Sequence, residues 1–159
     1  MHRPLFVVSS RDVNSRYHYV PTEDDVWEQV KDTYDYIGLA NEDEWTEESF
    51  VSVLNGMFDG VVYDGKMYII PVKAIEAYLE GMAERIRKHI AEEPLTGETI
   101  CRWKNRLRFG ILEEGCQFVI DGTVEYGIDF AASLLSGEKK DEEKAFVNLK
   151  LEAIYDAHC

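Results

Sequence analysis

The chain has 159 residues, 45% of them apolar, with 31 acidic against 17 basic side chains for a formal net charge of −14. One hydrophobic core fits this length, and the apolar fraction is too high for a disordered acidic tail. The charge sets the chain as a whole against binding free nucleic acid, and no run approaches the ~18 apolar residues of a membrane helix.

In chain order, residues 5–9 form a short apolar run that reads as a buried first strand, with 16–20 as a candidate partner. The run is too short for a signal-peptide core, and no small-residue cleavage site follows it. Pro21 ends the extended stretch, Thr22 supplies an N-cap with Asp25 three residues on, and Val26, Val30, Tyr34 and Ile37 recur at helical spacing. These features predict a helix over 22–37, stopped by Gly38. A second capped segment starts at Thr46 and carries Phe50, Val51, Leu54, Met57 and Phe58 as an apolar stripe. Asp64-Gly65 between two β-rich arms is a hairpin signal. Pro71 then opens a helix with Ile75, Leu79, Met82, Ile86 and Ile90 on one face, ending near Pro94.

The second half reads as more strand-like. Leu107, Phe109 and Ile111 alternate with polar or small residues, and Asp121-Gly122 marks a second hairpin. Residues 137–144 read as a charged loop or helix start, and the alternation of Val147, Leu149, Leu151, Ala153 and Tyr155 favours a final strand over a helix. The expected fold is a single α+β domain over 1–159: helix-rich 1–93 with a β-hairpin, then sheet-rich 94–159, an antiparallel sheet packed on a helix. The three cysteines, Cys101, Cys116 and Cys159, are odd in number, widely spaced and free of any zinc-type pattern, which fits a reducing cytoplasm.

Charge placement is the informative feature. Residues 1–80 carry 6 basic and 16 acidic side chains, residues 81–108 carry 7 and 4, and residues 109–159 carry 4 and 11. Within 22–48 there are 11 acids and one base, Lys31. Asp24, Glu28, Asp32 and Asp35 step by four, four and three, which on a continuous helix places them along one face. With Glu23, Glu42, Asp43, Glu44, Glu47 and Glu48 they form a candidate partner-binding surface, and Trp27 and Trp45 are candidate anchors among them. Carboxylates spaced on a rigid face imitate a phosphate backbone and steer association with a basic groove. The plainer account is a solvated face, with acids near helix N-termini favoured by the dipole. On alternating strand positions, Arg102, Lys104, Arg106 and Arg108 form a secondary basic row, or else the charged solvent face of an edge strand.

No nucleophile elbow, P-loop or dinucleotide fingerprint is present, and no metal or cofactor is called for. His89 beside Glu92 and Glu93 reads as a helix-end histidine rather than a metal ligand. His18 between Tyr17 and Tyr19 reads as structural rather than as a general base, and no base can be assigned to Cys116. The expectation is a non-enzymatic inhibitor, monomer or homodimer, whose acidic surface occludes a basic protein such as a nucleic-acid-binding enzyme. In size and charge alone the chain is similar to small anti-restriction and anti-CRISPR proteins of phages and mobile elements. The alternative is a small cytoplasmic enzyme or ligand-binding domain with a pocket between helix and sheet, using His18, Tyr19 or Cys116.

Overall fold

A computed structural model describes residues 2–10, 20–41, 43, 45–102, 117–120, 122–138 and 145–158. Its elements in order are β1 (His2–Ser9), α1 (Glu23–Val30), β2 (Tyr36–Leu39), α2 (Glu47–Met57), β3 (Val62–Tyr63), β4 (Tyr68–Pro71), α3 (Val72–Glu92), β5 (Gln117–Ile120), β6 (Thr123–Tyr126), α4 (Gly127–Glu138) and β7 (Phe146–His158). The α+β class holds. The sheet, however, is mixed and draws on both halves of the chain, in the order β3-β4-β7-β1-β5-β6, with β2 also on β7. β1 pairs parallel with β5, and every other described pairing is antiparallel.

The caps read from sequence form as expected. Thr22 N donates to Asp25 Oδ2 at 2.8 Å while Asp25 N donates to Thr22 Oγ1 at 3.3 Å, so two orphan amides at the start of α1 are satisfied reciprocally. Thr46 and Ser49 make the same box at α2. At the first hairpin, Asp64 accepts from the amides of Lys66 and Met67 at 2.8 Å each, and Gly65 takes φ +96°. Those two N–H groups hold the Asp64 carboxyl below its ordinary pKa. The second hairpin, β5–β6, turns through Gly122 at φ +85°.

Helix α1 stops at Val30, so the predicted helix over 22–37 is corrected. Residues 36–39 pair instead with 155–158 of β7, and Gly38 sits inside the strand rather than capping a helix. Tyr36 and Ile37 are β-favouring, and a ladder on a central strand overrides the local helical period. The buried set was nevertheless right: Val26, Val30, Tyr34 and Ile37 all belong to one cluster with Leu5, Val7, Val119, Tyr155 and Ala157. The row Asp24, Glu28, Asp32, Asp35 is thereby broken, with only its first two members on helix.

The opposite sheet face packs Phe6, Val8, Phe118 and Ile120 against Phe50 and Leu54 of α2, Ile75 of α3, and Phe130, Ala131 and Leu134 of α4. Helices therefore cover both faces, α1 on one and the other three on the second. The sequence reading has no counterpart for α4. Phe130 lies flat on Phe118, ring centroids 3.9 Å apart at 4°.

β7 is the strand that the alternation pointed to, with one complication. Its register on β1 slips between Val7, opposite Ala153, and Val8, opposite Leu151, leaving Glu152 as an extra residue. Val147, Leu149 and Leu151 consequently face the α2–α4 side, and Ala153, Tyr155 and Ala157 face the α1 side. A regular strand would put all six on one face.

Arg102 is helical, as are 100 and 101, and not on a strand, which corrects its place in the basic row. It donates to Glu93 at 2.6 Å. The candidate strand around Leu107–Ile111, together with Lys104, Arg106 and Arg108, lies outside the described residues, as do 16–19 and 139–144, while Val20 is described and belongs to no strand.

Candidate functional site

The acidic candidates fall into two groups, carried by helices on opposite faces of the sheet. In the first, Glu23 and Asp24 occupy the first turn of α1, Glu28 its second, Asp32 the turn after it and Asp35 the bend before β2. In the second, Asp43 lies in the loop before α2, and Glu47 and Glu48 in the first turn of α2. All eight are exposed. Glu42 and Glu44 lie outside the described residues.

Of the eight described acids, Glu28 is the one that an ion pair compensates. Lys31 Nζ donates to Glu28 Oε2 at 2.6 Å, and this bond raises the lysine pKa. Among the described residues, no cationic group lies within ion-pair distance of Glu23, Asp24, Asp32, Asp35, Asp43, Glu47 or Glu48. The dipole accounts for acids in the first turns of α1 and α2, yet not for Asp32 and Asp35, which follow the C-terminal end of α1. The acidity also reaches the core. Burial first, and the Glu23 carboxylate second, raise the pKa of Tyr155 on β7.

The two tryptophans are tied into the fold. Trp27 is half-buried against the α1-side cluster. Trp45 Nε1 donates to Asp156 Oδ1 at 3.2 Å. The other oxygen of Asp156 lies 2.5 Å from His2 Nδ1, and the His158 ring meets the His2 ring edge-on at 5.1 Å. This knot joins the ends of β1 and β7 to the loop before α2. The sequence gives no signal for it, because His2 and Asp156 are 154 positions apart. His18, Tyr19 and Cys116 lie outside the described residues, and no group of three metal-ligating side chains occurs among the described ones.

Glu47 and Glu48 also border a cleft of about 430 Å³ between α2 and the β3–β4 hairpin. Glu48, Val51 and Asn55 step by three and four along the helix and form one wall, while Val61, Tyr63 and Tyr68 form the other. Tyr63 and Tyr68 are directly opposed in the hairpin and stack with centroids 4.7 Å apart. The Tyr68 hydroxyl donates to Glu47 Oε1. Burial, then this carboxylate, pushes the phenol well above its ordinary pKa.

Comparison of the chain with protein-family profiles, curated sequences and solved structures gives no match. No helix among the described residues is long and apolar enough to cross a membrane.

Proposed function

We propose that this protein is a non-enzymatic, acidic interaction protein that binds a basic, nucleic-acid-handling protein and occludes its phosphate-binding surface. The supporting observation is the two groups of exposed carboxylates, Glu23, Asp24, Glu28, Asp32 and Asp35 in one and Asp43, Glu47 and Glu48 in the other, for which Lys31 is the one cation at ion-pair distance among the described residues. A set built only for solubility would gain from interspersed lysines, since mutual repulsion among like charges works against the compact state. Left uncompensated, such carboxylates raise association rates with a basic groove, and the effect fades as salt approaches ~0.15 M and above. Arg102, which bonds Glu93 within the chain, is not part of the proposed surface.

The test is capture of partners from lysates by the tagged full chain, washed at low and high salt, beside a variant carrying Asp24, Glu28, Asp32 and Asp35 all changed to Lys. Four reversals move the formal charge from −14 by +8, and all four side chains are exposed, so circular dichroism should stay native. Wild type should retain a basic nucleic-acid-binding protein in low salt and release it in high salt, and the variant should retain none. Equal capture by both proteins would refute the proposal.

A further inference from the structure

We infer that the cleft between α2 and the β3–β4 hairpin seats one arginine side chain of the basic partner. This rests on the proposed acidic-surface function and adds a specific anchor to it.

The chemistry of the walls selects the occupant. Val51 and Val61 are half-buried and suit an aliphatic stem, and Tyr63, 52% exposed, offers an aromatic ring at the surface. Glu47 and Glu48 border the same space, and none of the described residues lining it is basic. One oxygen of Glu47 already accepts from Tyr68, while its second oxygen and both oxygens of Glu48 have no partner among the described residues. An anion would meet two carboxylates. A neutral apolar group would strip water from them without replacing their hydrogen bonds. A lysine ammonium is a strongly hydrated point charge and gains less from the ring. A guanidinium satisfies all three demands, because it stacks on an aromatic face, offers a fork of donors to a carboxylate and is weakly hydrated. The Tyr63–Tyr68 stack and the Tyr68–Glu47 bond fix one ring and one carboxylate before anything binds, which lowers the ordering cost of association.

The experiment titrates the ¹⁵N-labelled full chain with three octapeptides: an Arg-Gly repeat, its Lys-Gly counterpart and its citrulline-Gly counterpart. The Arg peptide should shift the amides of Val51, Asn55, Val61 and Tyr63, bind more tightly than the Lys peptide, and leave the citrulline peptide without measurable binding. Tyr63→Ala should weaken the Arg peptide about fivefold, as expected for loss of one cation–π contact, and Tyr63→Phe should restore it. Glu48→Gln should weaken it as well. Equal binding of the citrulline peptide would overturn the inference by showing an apolar groove. Shifts confined to residues 23–35, unchanged by the cleft variants, would overturn it while leaving the acidic-surface function standing. Cleft shifts with an Arg preference, together with partner capture unaffected by the four α1-region reversals, would support the arginine seat and refute the wider function. No shift with any peptide would overturn the arginine seat.

Discussion

Replacing Phe130 by alanine tests whether α4 is docked on the sheet as described. The side chain is fully buried, lies on Phe118 at 3.9 Å and has the Phe58 ring at 6.5 Å. A phenylalanine buries roughly 150–250 Å², so at ~25 cal/mol per Å² its burial contributes about 4–6 kcal/mol as an upper estimate. The methyl that remains retains part of this, while the cavity adds a cost, and Phe→Ala changes in cores fall at about 3–5 kcal/mol. We expect a loss of about 4 kcal/mol, which in a domain of this size lowers Tm by about 8–16 °C. Urea denaturation and calorimetry on wild type, Phe130→Ala, Phe118→Ala and the double variant give both the cost and the coupling. The stacked pair should show a coupling of about 0.5–1.5 kcal/mol. Ala132→Ser, on the exposed side of α4, should stay within about 0.5 kcal/mol. A cost below about 1 kcal/mol for Phe130→Ala would refute the docking of α4 onto Phe118.

Two further predictions concern pH and glycine. Tyr68 and Tyr155 have folded pKa values raised above the unfolded value of 10.0, so their protonated forms stabilise the fold below pH 10, and this contribution is lost as pH rises through the folded values. Unfolding free energies from urea denaturation should therefore fall above pH 10, with Tyr68 contributing a slope of up to about 1.4 kcal/mol per pH unit, and Tyr68→Phe should remove that share; an unchanged slope in that variant would contradict the assignment. Gly65→Ala should cost about 1–2 kcal/mol because φ is +96°, whereas Gly38→Ala should cost less than about 1 kcal/mol. A methyl at Gly38 would stand 2.5 Å from the Tyr36 hydroxyl, but that ring is 63% exposed and can swing away; a larger loss at Gly38 than at Gly65 would show that it cannot.

What could be read from the sequence was local. The Thr22 and Thr46 caps, both Asp-Gly hairpins and the helix of Ile75 and Met82 are set by neighbours in the chain, and all are present. The end of α1 was misread because strand pairing between 36–39 and 155–158 is a contact across most of the chain. Helix α4 escaped because its apolar residues, Phe130, Ala131, Leu134 and Leu135, leave no polar face sharp enough to announce a period. At the candidate site, the acids and their exposure were legible from composition and spacing. The division into two groups was not, since it follows from which sheet face each helix covers. The cleft beside Glu47 and Glu48 needs Tyr63 and Tyr68 brought up by the hairpin, and sequence spacing cannot place a hairpin against a helix.

The position of β7 has a consequence for folding order. It follows every other described element in the chain, yet it joins β1 to both β2 and β4, and its extra residue at Glu152 lets it complete the packing on both sheet faces. Until it arrives, the edges of β1, β2 and β4 that it will pair with have no partner. Pairing His2–Ser9 with a strand some 150 positions later is a high-contact-order event, which slows the rate-limiting step and prolongs the exposure of those edges. A nascent or truncated chain lacking 146–158 is therefore the aggregation-prone species. The dense negative charge of 22–48, already synthesised by then, supplies the repulsion that keeps such chains apart.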